Sequence, residues 1–169
     1  DREVTRSGGI VTSFLGDGAM ILFGLPAESA DDATRAAECS IALCVKTERW
    51  IETLPPSIAE RIGFKIGAHF GPIVASRLGG RNHQHITATG DTVNVASRLM
   101  EVAARQDVRL ALSDTLRIAA ERTGSRLKTG SLDGPVETQI RGRSGSLTVW
   151  LWRGEHPTMN QRTRPDAAE

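Results

Sequence analysis

Residues 8–26, GGIVTSFLGDGAMILFGLP, constrain the fold of this chain more than any other stretch. Two β-prone apolar runs, Ile10 to Leu15 and Ala19 to Phe23, flank Gly16-Asp17-Gly18, and both central positions of an Asp-Gly turn tolerate positive φ. The stretch reads as a tight β-hairpin with a carboxylate, Asp17, at its tip. Taken alone, Asp at such a place is commonly turn chemistry.

Covering elements follow. Glu28 to Leu54 reads as a helix entered through Ser29, Asp31 and Asp32 and closed by Pro55-Pro56, with Ala33, Ala37, Ile41 and Cys44 able to lie against a sheet. Arg61 to Phe70 alternates as a strand, Gly71-Pro72 turns the chain, and Ile73 to Leu78 returns. Gly79 to Asn82 is a loop, and His85 to Thr89 is an extended segment running into a helix with Asp91 as its N-cap.

Val108 to Leu112 reads as a strand and Ser113 to Thr123 as a helix, capped by Ser113 or Asp114 and stopped by Gly124. Arg126 to Leu132, Val136 to Ile140 and Leu147 to Trp152 read as closing strands, with a Gly/Ser turn at 142–146. The alternation of hairpins with covering helices predicts an α+β domain over 1–153, a sheet with helices packed on one face. The polar, Pro-containing stretch 154–169 is expected to be a disordered tail.

Composition removes several classes. At 169 residues the chain has room for one sizeable core. Its 21 basic and 20 acidic residues leave a formal charge of +1, so no global field favours a nucleic acid, and a small ligand in a cleft fits better. Cys39 and Cys44 suit neither a disulfide framework nor a metal knuckle and read as buried residues in a reducing compartment. No apolar run approaches the roughly twenty residues of a spanning helix, and DREVTRSGG lacks the apolar core of a signal peptide. The segment is therefore expected to be cytoplasmic and to touch no membrane. A start without Met that almost at once enters a strand suggests a fragment of something longer. His69, His83, His85 and His156 show no metal-ligand spacing and read as strand or loop residues.

The run GDTVNVASRL carries the chemistry. Asn94 and Arg98, four residues apart on a helix, share one face, while Val93, Ala96, Met100 and Ala103 form a separate apolar stripe for the core. An ordinary amphipathic helix gives the same pattern.

Together with the Asp17 hairpin, in the same order along the chain, this run resembles the signature of the class III nucleotidyl cyclases, over roughly residues 8 to 152. The resemblance implies a ferredoxin-like nucleotidyl cyclase fold and a homodimer with shared active sites, one subunit supplying metal aspartates and the other the base, ribose and phosphate contacts. Asp17 would be a ligand of Mg²⁺ or Mn²⁺, two ions per site, because hard cations take carboxylate oxygen. The family's partner aspartate belongs to a first strand upstream of residue 1, and nothing here replaces it, so the domain is expected to be N-terminally truncated and residues 1–169 to be short of one ligand.

By the same resemblance Asn94 would orient the ribose and Arg98 would meet charge developing on the α-phosphate. Thr87 stands where the family places an Asp or Thr that hydrogen-bonds adenine. Ser13 stands where adenylate cyclases carry a Lys and guanylate cyclases a Glu. Arg141, before Gly142, replaces a Lys at the terminal phosphates and keeps its charge; Arg81 is a further triphosphate candidate. The substrate this implies is ATP, with GTP left open, and the product cyclic AMP and pyrophosphate. The alternative is a cyclase-homology module that binds nucleotide or dimerises without catalysis, favoured by Ser13. A blander alternative is a ferredoxin-like interaction domain.

Overall fold

The computed structural model of the chain describes residues 1–78, 85–123, 132–142 and 144–154. The expected hairpin is there: β1 (Ile10–Leu15) pairs antiparallel with β2 (Gly18–Leu22), and Gly16 takes φ +65° in the turn. Thr12 is a bulge in β1, between Val11 opposite Ile21 and Ser13 opposite Met20. Its buried hydroxyl donates to the Met20 carbonyl at 3.2 Å. A bulge re-aims the side chains beside it.

Before the hairpin, where the sequence points to no helix, a short helix α1 (Arg2–Arg6) buries Val4 and pairs Glu3 with Lys46. Lys46 lies on α2 (Asp32–Glu52), which begins later than the sequence reading placed it, after Asp31 as N-cap. The delay has a local cause, because the Ser29 N–H donates to Asp32 Oδ2 at 2.6 Å and holds residues 29–32 in a turn. The prolines then close α2 and open a short α3 (Pro56–Ala59).

The main sheet has the order β3-β6-β8-β7, from β3 (Ile66–Ala68), β6 (Leu110–Ser113), β8 (Ser146–Trp152) and β7 (Leu132–Gln139). β3 runs parallel to β6, and the other pairs are antiparallel. A second hairpin joins β4 (Val74–Leu78) to β5 (His85–Thr89), and β1 lies against β5. The remaining helices are α4 (Asp91–Arg105) and α5 (Asp114–Glu121). Residues 126–131 of the expected strand Arg126 to Leu132, the loop Gly79 to Asn82 and residues 155–169 of the expected tail lie outside the described residues, while Leu132 and the expected strand from Val136 belong to one strand, β7.

Strand alternation divides the core in two. Leu110 and Leu112 of β6 and Trp152 of β8 pack with Ala33, Ala37 and Cys44 of α2 and Leu116 and Ala120 of α5. Ala111 of β6 and Val149 and Leu151 of β8 pack with Val95, Leu99, Val102 and Ala103 of α4. Thus α2 and α5 cover one face, as expected, whereas α4 takes the other. Cys39 and Cys44 are both buried and free, and burial foremost pushes the Cys44 thiol up to about 12.

The apolar stripe of α4 also differs from the sequence reading. Val95, Leu99, Val102 and Ala103 are buried, Val93 and Ala96 are only partly so, and Met100 is 41% exposed. Both stripes have helical spacing, and the buried one removes more apolar surface from water, at about 25 cal/mol per Å². Only Ala103 belongs to both.

Candidate active site

Gly90 caps α4 at φ +134°, a backbone conformation costly for any residue with a Cβ, and Asp91 becomes the first helical residue instead of the cap. Its carboxylate still favours the positive end of the helix. The Thr92 hydroxyl donates to the Pro72 carbonyl at 2.6 Å, and a Cβ on Gly71 would stand 2.7 Å from Thr92 Oγ1. The Gly71-Pro72 turn is thereby fastened to the start of α4.

With Val95, Leu99 and Val102 facing the core, Asp91, Asn94, Arg98, Glu101 and Arg105 form a polar stripe at spacings of 3, 4, 3 and 4 along α4. Asn94 is exposed and Arg98 half-buried, one turn apart on the outer face, as the spacing requires. Arg98 is paired with Glu101, an exposed i,i+3 partner. Such a surface pair contributes only about 0.3–0.5 kcal/mol, little against a triphosphate. Arg105 donates from Nη2 to the carbonyl of Gln139 at 3.2 Å. The sequence reading stopped at Asn94 and Arg98; the same 3-4 spacing, continued, would have found Glu101 and Arg105.

Thr87 is half-buried on β5, opposite Ser76 of β4, one short turn before α4. Ser13, half-buried, lies next to the β1 bulge, on the strand that rests against β5. The base-reading candidates therefore occupy neighbouring strands. Arg141 is exposed in the turn after β7, with Ile140 before it buried in the α4 cluster. Arg81 lies outside the described residues.

Asp17 is exposed at the hairpin tip and makes no hydrogen bond or ion pair to another described residue, so its carboxylate is available to a cation. Among the described residues no three His, Cys, Asp or Glu gather into a metal-holding group. The donor set fits one corner of a divalent-ion shell and no more. His69 is engaged elsewhere, sharing hydrogen bonds with Ser113 at 2.8 Å and Thr115 at 3.3 Å.

Residues 4–152 match the adenylate and guanylate cyclase catalytic domain, and the chain belongs to that family of class III cyclases. An uncharacterized protein of Mycobacterium tuberculosis is 36% identical over 122 residues, covering 70% of this chain and 21% of that protein. The receptor-type guanylate cyclase gcy-28 of Caenorhabditis elegans is 29% identical over 137 residues, 81% of this chain and 10% of its own length. Among solved structures, the guanylyl cyclase Cya2 aligns with TM-score 0.66 at 23% identity, covering 94% of this chain and 77% of that one. The adenylyl cyclase CyaB of P. aeruginosa aligns with TM-score 0.65 at 20% identity, over 92% and 76%. The chain spans about a fifth of the length of the first of these relatives and a tenth of the second. Among the described residues, no helix is long and apolar enough to cross a membrane.

Proposed function

We propose that this domain makes 3′,5′-cyclic AMP and pyrophosphate from ATP, as a homodimer working in the cytoplasm within a longer signalling protein. The observation that carries the reading is Asn94 and Arg98 standing one turn apart on the outer face of a helix whose other face is core. An ordinary amphipathic helix also has a polar outer face; the match of residues 4–152 to the cyclase catalytic domain is what gives this pair its reading.

In this reading Thr87 and Ser13 meet the purine, and the Thr87 hydroxyl both accepts and donates. The Asn94 amide holds the ribose so that its 3′-oxygen faces the α-phosphate, a gain of orientation. The Arg98 guanidinium meets negative charge that grows on the α-phosphate, which favours the transition state over bound substrate. Arg141 takes the terminal phosphates. Asp17 would hold Mg²⁺ or Mn²⁺, which when bound eases deprotonation of the 3′-hydroxyl and offsets charge on pyrophosphate.

The dimer is read from the family to which the chain belongs; Phe14, 79% exposed beside Ser13, is a place to test it. The lack of a Glu at position 13, together with Thr87, favours ATP over GTP. Ser13 in place of a charged base reader supports the second reading, a cyclase-homology module that binds nucleotide without turnover.

Product formation from ATP and from GTP with Mn²⁺ by the longer protein, beside residues 1–169 and with Arg98→Ala as control, separates the readings. Cyclic AMP abolished in the variant supports the enzyme; cyclic GMP from GTP, with no cyclic AMP from ATP, overturns the substrate assignment. Nucleotide binding with no cyclic product from either supports the second reading.

A further inference from the structure

The last turn of α4 is fastened to the strand that delivers Arg141, and the fastening has two parts on successive residues. Ile140 is buried in the core cluster that holds Val102 and Ala103 of α4. Beside it, Arg105 Nη2 donates to the Gln139 carbonyl at 3.2 Å. Arg141 follows at once, and Gly142, at φ +86°, turns the chain away. Arg98 lies seven residues before Arg105, two turns back along the same helix.

An apolar contact at Ile140 resists separation but permits rotation of the turn about it, because dispersion and burial are non-directional. A guanidinium donating to a main-chain carbonyl is directional and adds the missing restraint. Arg105 sits at the carbonyl end of α4, where the helix dipole also favours a cation. It is exposed and has no packing role of its own.

We propose that Arg105 is a positioning residue for Arg141: it sets the separation between the guanidinium at the terminal phosphates and that of Arg98 at the α-phosphate. The inference rests on the nucleotide-binding reading above. It bears on the triphosphate end of the site, since the Arg105 side chain donates to Gln139, two residues before Arg141.

The test is a double-mutant cycle on the full chain, with binding of 3′-deoxy-ATP, which cannot cyclise, followed by calorimetry with Mn²⁺. Arg105→Gln is expected to weaken binding roughly three- to tenfold, the scale of one ordinary, solvent-exposed hydrogen bond. It should weaken nothing further in an Arg141→Ala background, because coupled residues are non-additive. Arg105→Lys, which keeps a cationic donor, should recover most of the affinity. Additive effects of Arg105→Gln and Arg141→Ala, or unchanged binding in Arg105→Gln, would overturn the role of Arg105 while leaving the nucleotide reading intact. No binding of 3′-deoxy-ATP by the unaltered chain would overturn both.

Discussion

Gly67 of β3 lies so close to α4 that a Cβ added to it would stand 2.0 Å from the carbonyl oxygen of Ala96. The nearest obstacles are main-chain atoms, Ala96 O and Met100 N, which cannot swing aside as a side chain would. The helix that carries Asn94 and Arg98 thus rests on β3 where a side chain is missing.

Gly67→Ala should therefore cost roughly 3 kcal/mol, at the upper end for overpacking, and should displace α4 in what still folds. Chemical denaturation measures the first effect and turnover per folded molecule the second. A variant as stable as the parent would show that α4 does not bear on β3 here.

Arg98→Ala is expected to lower kcat on the order of a hundredfold or more while changing nucleotide affinity little, the mark of an interaction made in the transition state. Equal losses in both quantities would count against that role.

If the site is shared, Asp17→Asn and Arg98→Ala are each inactive as homodimers, yet a mixture of the two contains dimers with one intact site. Equal amounts should recover about a quarter of the parent activity, since half the dimers are mixed and half of their sites are whole. No recovery after exchange of subunits would place both residues in a site within one chain.

If Ser13 takes the place of the family's charged base reader, as proposed, Ser13→Lys should raise the preference for ATP over GTP and Ser13→Glu should move it toward GTP. Ratios of kcat/KM for the two nucleotides report this directly; ratios untouched by either charge would remove Ser13 from the base pocket.

Acid sensitivity has a defined source in α5. Burial raises the pKa of Asp114, but the Trp150 Nε1–H bond at 2.9 Å and Arg117 at 2.8 Å outweigh it and hold the carboxyl below its usual value. A lowered acid stabilises the fold above its unfolded pKa, about 3.9. That contribution is lost as pH falls through the lowered folded value. Asp114→Asn keeps an acceptor for Trp150 and loses the charge facing Arg117. Its thermal midpoint should lie below the parent's at pH 7, and the gap should close as pH falls through about 4 and below. A gap of constant size down to pH 3 would contradict the assignment.

The parts of the fold legible in the sequence were those written in local chemistry. Gly16-Asp17-Gly18 announced its hairpin, Pro55-Pro56 stopped α2, and Ser113 capped α5, accepting the Leu116 N–H at 3.3 Å. What stayed hidden depends on partners distant in sequence. Which stripe of α4 faces inward is decided by the strands beneath it, and two stripes of equal spacing were on offer. The side of the sheet that α4 takes follows from the pleat of β6, which no stretch of α4 encodes. In the candidate site, the common outer face of Asn94 and Arg98 was readable because they share one helix. The Arg105 bond to Gln139 spans 34 residues and has no local mark.

The pleat of β6 and β8 has a genetic consequence. Leu110 and Leu112 look toward α2 and α5, while Ala111, between them, looks toward the helix of Asn94 and Arg98; Trp150 and Trp152 alternate in the same way with Val149 and Leu151. A saturation map of these strands, scored as turnover per folded molecule, should show a period of two: alternate codons dispensable to chemistry once the fold survives, and those between them able to detune the site from beneath.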